Sequence, residues 1–142
     1  MIYECKRISS VKSSIGLLLQ RKWKIHFVTL MNFIFFLAAT TTALAPGNLV
    51  GYRGNINQTY SFLLTGAISG GIWGTTIYTD DSSLVTAAVH SGFVQVGQVC
   101  VVTAIILSGQ SSYTSSTQNG VTSSGWGGWP GSYSIIGAVV VG

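Results

Sequence analysis

The segment from Leu84 to Val89 constrains the fold of this chain more than any other. It is apolar at every position but Thr86, which predicts a short helix. Asp80, Asp81 and Ser82 precede it and are residue types that begin helices, and a glycine at position 92 can end it in a left-handed turn. A helix of about ten residues is not stable alone in water, and one that is apolar around nearly its whole circumference must be enclosed. We therefore expect one buried helix with the rest of the chain around it.

Two strands are predicted before the helix. The residues from Tyr60 to Thr65 show the period-two alternation of a half-buried strand. Gly66 to Gly71 favours a flexible turn, and Ile72 to Tyr78 favours a second strand. The two strands are expected to form a hairpin-like pair.

The remaining strands are predicted after the helix. Val99 to Leu107 is long, apolar and β-branched, as expected of a central strand buried on both faces. Asn119-Gly120 is a strong signal for a two-residue turn, and Tyr133 to Val141 closes the chain as a final strand. The predicted fold class is α+β, a single small domain with one central buried helix wrapped by antiparallel β-strands.

Residues 1–45 differ sharply in composition from residues 46–142. Most of the basic residues lie before position 25, an apolar run follows from Phe27 to Ala39, and Ala43-Leu-Ala45 ends it with small residues. This order is typical of a signal peptide, cleaved after Ala45 or after Ala43, although Met31 is an alternative start. The same segment is long enough to be an uncleaved membrane anchor. Both interpretations place the domain at 46–142 outside the cytosol.

The charge of the domain argues against nucleic-acid binding. Beyond residue 45 the charged side chains are Arg53, Asp80 and Asp81, one cation against two anions, so the domain has a net charge of −1. The basic leader accounts for the positive charge of the whole chain, and no basic patch remains for phosphates.

Three segments of the chain resemble the LCCL domain, the module named for clotting factor C, cochlin and a late-gestation lung protein. They are Tyr78–Gly92, Gly109–Ser123 and Trp129–Ser134, and the resemblance extends from about Gly51 to Ile136 in the family's order and spacing. The resemblance implies strands around one helix. It also implies a non-enzymatic binding module of extracellular proteins in defence, matrix and adhesion, for which recognition of lipopolysaccharide has been proposed.

The cysteines depart from the LCCL pattern. LCCL domains commonly carry four cysteines in two disulfides, one of them in the helix, where this chain has Val85. Here Cys5 lies in the leader and Cys100 is alone in the domain, so no disulfide can form within it. Cys100 stands between two valines and is expected to be a small buried hydrophobe, with an intermolecular disulfide as the alternative.

The ionisable residues of the helical segment favour structural roles. Asp81 is the expected helix cap, since an acid at a helix start accepts from free N–H groups, with weak calcium binding by Asp80 and Asp81 as the alternative. His90 shares a polar helix face with Ser83 and Thr86 and is expected to bond to carbonyls near the helix end. A catalytic His90 with an acid, as in a small hydrolase, is a less favoured hypothesis.

Trp126 and Trp129 are the best candidates for ligand contact. They lie in a glycine-rich loop, where exposed aromatic rings can stack on sugars; the alternative is that both rings plug one end of the core. Asn57-Gln-Thr59 is an N-glycosylation sequon.

Together these patterns predict a secreted or surface-displayed module without catalytic residues, cofactor or metal. Its expected partner is an extracellular glycan, lipopolysaccharide or a protein, and it contacts membrane only through an uncleaved leader. Because the phosphates of lipopolysaccharide would find only Arg53, a neutral glycan or a protein partner ranks at least as high. The alternative function is a structural matrix or self-association module, held by strand edges or by Cys100.

Overall fold

The computed structural model describes residues 42–142 and the backbone of residues 6–7. All of these residues belong to one compact unit. Of the predicted signal peptide or anchor, residues 1–5 and 8–41, with Cys5 among them, lie outside the described residues, while Lys6–Arg7 and Ala43–Leu44 pair with strands of the sheet. Among the described helices, none is long and apolar enough to span a membrane.

A mostly antiparallel sheet of seven strands forms the frame of the described domain. The strand order is β2-β3-β6-β9-β5-β4, with β1 also paired to β9, and only the β2–β3 and β1–β9 pairs are parallel. A separate hairpin joins β7 to β8. The elements are β1 (Lys6–Arg7), β2 (Ala43–Leu44), a 3-10 turn (Val50–Tyr52), β3 (Thr59–Thr65), β4 (Gly74–Thr75), β5 (Ile77–Thr79), α1 (Leu84–His90), β6 (Val99–Ser108), β7 (Thr117–Gln118), β8 (Val121–Thr122) and β9 (Gly131–Val140).

The core lies on one face of the sheet, with β6 at its centre. Phe62 on β3 pairs with Val102 on β6, and Ala104 on β6 pairs with Ile135 on β9, so buried side chains from three strands share that face. The predicted central strand is confirmed. The prediction that it is buried on both faces is wrong, because its other face is only half-buried and carries polar contacts such as Ser61 Oγ to Thr103 Oγ1 at 2.9 Å.

The helix α1 is enclosed as predicted. Leu84, Ala87 and Ala88 have no exposed surface, and the small alanines leave room for the surrounding structure. After the helix, Gly92 adopts a φ of +81°, the left-handed conformation expected at a helix end. The α+β fold class with one helix and mostly antiparallel strands is confirmed.

The cap of α1 is Ser83, which corrects the expectation that Asp81 caps the helix. The Thr86 N–H donates to Ser83 Oγ at 3.4 Å, and Ser83 is the residue directly before the first helical turn. Asp81 lies in the preceding turn, which the Ser82 N–H closes on the Thr79 carbonyl at 3.0 Å. Asp81 stands two residues before the cap, so Ser83 and not the acid accepts from the free N–H group of the first helical turn.

The expected hairpin between β3 and the following strand does not form. The segment from Ile72 to Tyr78 divides into β4 and β5, which pair with each other through Thr76 in a left-handed conformation with φ of +66°. β5 then pairs with β9, while the neighbours of β3 are β2 and β6. The pairing with β9 lets Tyr78 and Thr79 become fully buried, which a two-stranded hairpin would not achieve.

The predicted Asn119-Gly120 turn and the predicted final strand are both confirmed. Asn119 and Gly120 have φ values of +50° and +75°, as a two-residue hairpin turn with both central residues left-handed requires, and they join β7 to β8. Asn119 Nδ2 also donates to the His90 carbonyl at 2.9 Å, which ties this hairpin to the end of α1. The predicted final strand is β9.

Candidate functional site

Asp80 is the centre of a satisfied polar cluster beside the glycine-rich loop. Its side chain is 1% exposed, and both of its oxygens accept hydrogen bonds. Arg53 donates from Nε to Oδ2 at 2.6 Å and from Nη2 to Oδ1 at 2.8 Å. Trp129 donates from Nε1 to Oδ1 at 2.8 Å. A bidentate arginine and an indole N–H thus occupy this carboxylate.

The electrostatics of the cluster favour the ionised pair. Burial acts to raise the pKa of the Asp80 carboxyl, but the hydrogen bonds from Arg53 and Trp129 outweigh it and hold that pKa below its usual range. The bond to Asp80 in turn raises the pKa of the Arg53 guanidinium. Asp80 is therefore a buried structural carboxylate whose two oxygens are held by Arg53 and Trp129.

The main chain fixes Asp80 as firmly as the side chains do. Its N–H donates to the Gly131 carbonyl at 3.0 Å, and its carbonyl accepts from the Leu49 N–H at 2.8 Å. A side chain at Gly131 would collide with the Asp80 carboxylate, so this first residue of β9 has to be glycine. The cluster also holds Trp129, because the Arg53 guanidinium carbon lies 5.9 Å from the centre of that ring.

Asp81 has the opposite environment to its neighbour. Its Oδ1 atom is buried and accepts no hydrogen bond from any residue that the structure describes. The side chain borders a pocket of about 180 Å³, together with Trp73, Thr79, Trp126 and Trp129. The pocket thus combines three indole rings with one half-buried carboxylate whose Oδ1 lacks a donor among the described residues.

The three tryptophans are held in different ways. Trp126 is 53% exposed, and its main chain forms two hydrogen bonds with Tyr113. The Trp126 N–H donates to the Tyr113 carbonyl at 3.0 Å, and the Tyr113 N–H donates to the Trp126 carbonyl at 2.8 Å. Trp73 is half-buried; its ring packs against Gly71, and its main-chain N–H donates to Ser82 Oγ at 3.0 Å. Trp129 is half-buried and anchored on Asp80. A ligand in the pocket would therefore meet two fixed rings and one exposed ring.

Comparison with known protein families decides what kind of domain carries this pocket. The model of the LCCL domain matches residues 57–133, more than half of the chain. The chain belongs to the LCCL domain family. The pocket residues Trp73, Thr79, Asp81, Trp126 and Trp129 all lie within the matched range. A search of curated proteins finds no match.

LCCL is a family of non-catalytic modules, and the surroundings of His90 in this domain are those of a core residue. His90 has no exposed surface, and its Nδ1 lies 2.8 Å from the Tyr78 hydroxyl. Its Nε2 lies 3.3 Å from the Ser116 carbonyl, which only accepts, so we place the proton on Nε2 and let Nδ1 accept from Tyr78. Burial lowers the pKa of His90 and raises that of Tyr78 to about 12, so both side chains are neutral.

The remaining predicted site residues lie away from the pocket. Val85, at the position of the family's helical cysteine, is half-buried and lines an apolar groove with Leu63 and Val99. Cys100 is fully buried in the LCCL core. Asn57 is exposed, with a left-handed φ of +66°, at the turn before β3. Within residues 42–142 and 6–7, no group of three or more histidine, cysteine or acidic side chains is placed to hold a metal.

Sequence reasoning missed Trp73 and Thr79 in the pocket and the ion pair of Arg53 beside it. Trp73 was overlooked because it sits in a segment that otherwise predicts a strand, although Gly71 and Gly74 on either side indicate close packing around a large ring. Arg53 enters the sequence analysis only through its charge, and its pairing with Asp80 is not predicted there. In a domain with so few charged side chains, a lone arginine is expected to pair with one of the two aspartates.

Proposed function

We propose that this protein is a secreted or surface-displayed LCCL binding module that holds an extracellular glycan in the pocket of Trp73, Trp126, Trp129, Thr79 and Asp81. The observation that carries the proposal is the convergence of three indole rings on one small pocket. Indole faces stack on the apolar faces of sugars, and a carboxylate accepts from their hydroxyl groups. At about 180 Å³ the pocket suits one sugar-sized group, since pockets for drug-sized ligands run to roughly 300–1,000 Å³.

The charge of the pocket sets the order of the candidate partners. Its ionisable lining residue is Asp81, so the phosphates of lipopolysaccharide would meet a carboxylate. Arg53, the cation nearest the pocket's tryptophans, already pairs with Asp80. A glycan without phosphate is therefore placed ahead of lipopolysaccharide, and a protein partner ranks behind it because the pocket is small.

The experiment compares binding by two variants that change exposed side chains of similar accessibility. Trp126 is 53% exposed and lines the pocket, whereas Ile136 is 51% exposed and does not. Protein from cells expressing the full chain, as Trp126→Ala and Ile136→Ala variants and wild type, is titrated by calorimetry with neutral glycans, lipopolysaccharide and whole bacteria. We expect saturable glycan binding by wild type and Ile136→Ala, with a loss of at least about tenfold in Trp126→Ala. Equal binding by all three proteins would refute the pocket.

The proposed location rests on the leader and on the sequon. Asn57 and Thr59 are exposed in the described domain, so an oligosaccharyltransferase could reach them. We expect the protein in the culture medium of eukaryotic cells, with a glycan that the Asn57→Gln variant lacks. Protein that stays in the cytosol and carries no glycan would contradict the proposal.

The self-association alternative finds less support. The strands at the two ends of the sheet path, β2 and β4, are two residues long, which leaves short edges for another copy to pair with. Cys100 is fully buried, so an intermolecular disulfide would require the core to open. The proteins prepared for calorimetry also test this alternative when their oligomeric state is measured with and without reductant. Higher-order species that disappear with reductant would favour self-association.

A further inference from the structure

We propose that the group recognised in the tryptophan pocket is an organic ammonium, carried by a sugar with a free amine. The inference rests on the proposed function, because it names the ligand chemistry of the same pocket. Its starting point is the buried Asp81 Oδ1, which has no hydrogen-bond donor among the described residues. Asp81 as a whole is half-buried, so its charge is partly solvated, but the buried oxygen lacks the hydrogen bond that a donor in the pocket would supply.

Residues 42–142 hold no second cation to meet this charge. Arg53 is the one cationic side chain between residues 42 and 142, and it forms its two hydrogen bonds with Asp80. The charge of Asp81 acts on Arg53, but one guanidinium shared by two carboxylates leaves one negative charge uncompensated. That charge borders the pocket, so the ligand is expected to supply the cation.

The walls of the pocket suit a cation as well as a sugar ring. The faces of indole rings attract ammonium groups, and the attraction is stronger where water is excluded. Trp129 already receives the Arg53 guanidinium in this way, while Trp73 and Trp126 complete the lining beside Asp81. A protonated amino sugar satisfies all three demands, since its ammonium donates to Asp81, its charge balances the carboxylate and its ring stacks on an indole.

The test uses two ligands with the same rings that differ at the critical position in charge and in an acetyl group, and Asp81→Asn separates the effect of charge from that of size. A glucosamine trimer carries free amines, and the N-acetylglucosamine trimer has the same rings with neutral amides. Wild type, Asp81→Asn and Trp126→Ala, all made from the full chain, are titrated by calorimetry with both trimers and with choline. Asp81→Asn keeps the size of the side chain, and an unchanged melting temperature shows that it folds.

We expect wild type to bind the glucosamine trimer at least about tenfold more tightly than its acetylated counterpart, in keeping with one charge-assisted contact. Asp81→Asn is expected to lose that preference, Trp126→Ala to lose binding of both trimers, and added salt to weaken the preference. Equal binding of the two trimers, unaffected by Asp81→Asn, would overturn the ammonium proposal and leave glycan binding intact. Choline bound more tightly than the glucosamine trimer would overturn the sugar assignment in favour of a lipid headgroup. Trimer binding that survives Trp126→Ala would refute the pocket itself.

Discussion

Two adjacent acids show how one residue step changes a side chain's role. Asp80 and Asp81 are alike in sequence, yet the first accepts from Arg53 and Trp129 while Oδ1 of the second has no donor among the described residues. Asp80 therefore contributes to stability, and Asp81 is the acid proposed to contact a ligand. The difference arises from partners that are distant in sequence, which no local pattern reveals.

This contrast predicts different stabilities for two isosteric variants. Asp80→Asn removes the charge that Arg53 meets, and we expect the free energy of unfolding to fall by about 2 kcal/mol, the lower part of the range for charged hydrogen bonds because Arg53 stays partly in water. Asp81→Asn loses no hydrogen bond at Oδ1 and is expected to leave the stability within about 0.5 kcal/mol of wild type. Chemical denaturation measures both. Equal losses in the two variants would contradict the roles assigned here.

The burial of His90 predicts a pH dependence of stability. Because the folded domain lowers the pKa of His90 below the usual value near 6.5, the unfolded chain binds more protons once the pH falls below that value. The contribution of His90 is complete above about pH 6.5 and is lost as the pH falls towards the folded pKa, with a slope of at most about 1.4 kcal/mol per pH unit. The depressed pKa of Asp80 acts separately, since its contribution is lost only below the usual value of 3.8.

Unfolding curves measured between pH 7.5 and the acid limit separate the two groups. His90→Gln is expected to flatten the dependence just below pH 6.5 and to leave the part below 3.8 in place. Parallel curves for wild type and His90→Gln would show that His90 does not titrate on unfolding.

At the scale of elements, the cap of α1 leads to a prediction about stability. Ser83 accepts from the Thr86 N–H, so Ser83→Ala should lower the free energy of unfolding by about 0.5–1 kcal/mol, the lower part of the range because the bond is long. Asp81→Ala should have a smaller effect, and the exposed Ser112→Ala serves as the neutral control. Thermal melts compare the three variants. A larger loss of stability in Asp81→Ala than in Ser83→Ala would show that Asp81 caps the helix.

Elements encoded by neighbouring residues were predictable from sequence, and pairings across the chain were not. The apolar segment before Gly92 and the Asn119-Gly120 turn are local signals, and both gave the observed helix and hairpin. The partner of β5 is β9, with Tyr78 opposite Tyr133, and this choice depends on the burial of both rings in the assembled core. The same limit explains the site: the loop identified Trp126 and Trp129, but only tertiary structure places Trp73, Thr79 and Asp81 beside them.

At the scale of the whole molecule, the described domain is held by packing and hydrogen bonds. Residues 42–142 contain one cysteine, Cys100, and it is fully buried. Its thiol should react with a thiol reagent only when the domain unfolds, and the melting temperature should not change with reductant. The assay uses protein that lacks Cys5, either by natural cleavage or by Cys5→Ser. Rapid labelling of the native protein would contradict the burial of Cys100.

The central claim is that ligands bind among the three tryptophans, and indole N–H signals in nitrogen-15 correlation spectra test it most directly. Single Trp→Phe variants assign the signals, and the titrants are the glucosamine trimer and a set of neutral oligosaccharides. We predict that the Trp73 and Trp126 signals shift with one common dissociation constant, while the amides of β3, which β6 and β9 separate from β5, stay in place. A ligand that binds by calorimetry but shifts only β3, or leaves every indole signal unmoved, would contradict the claim.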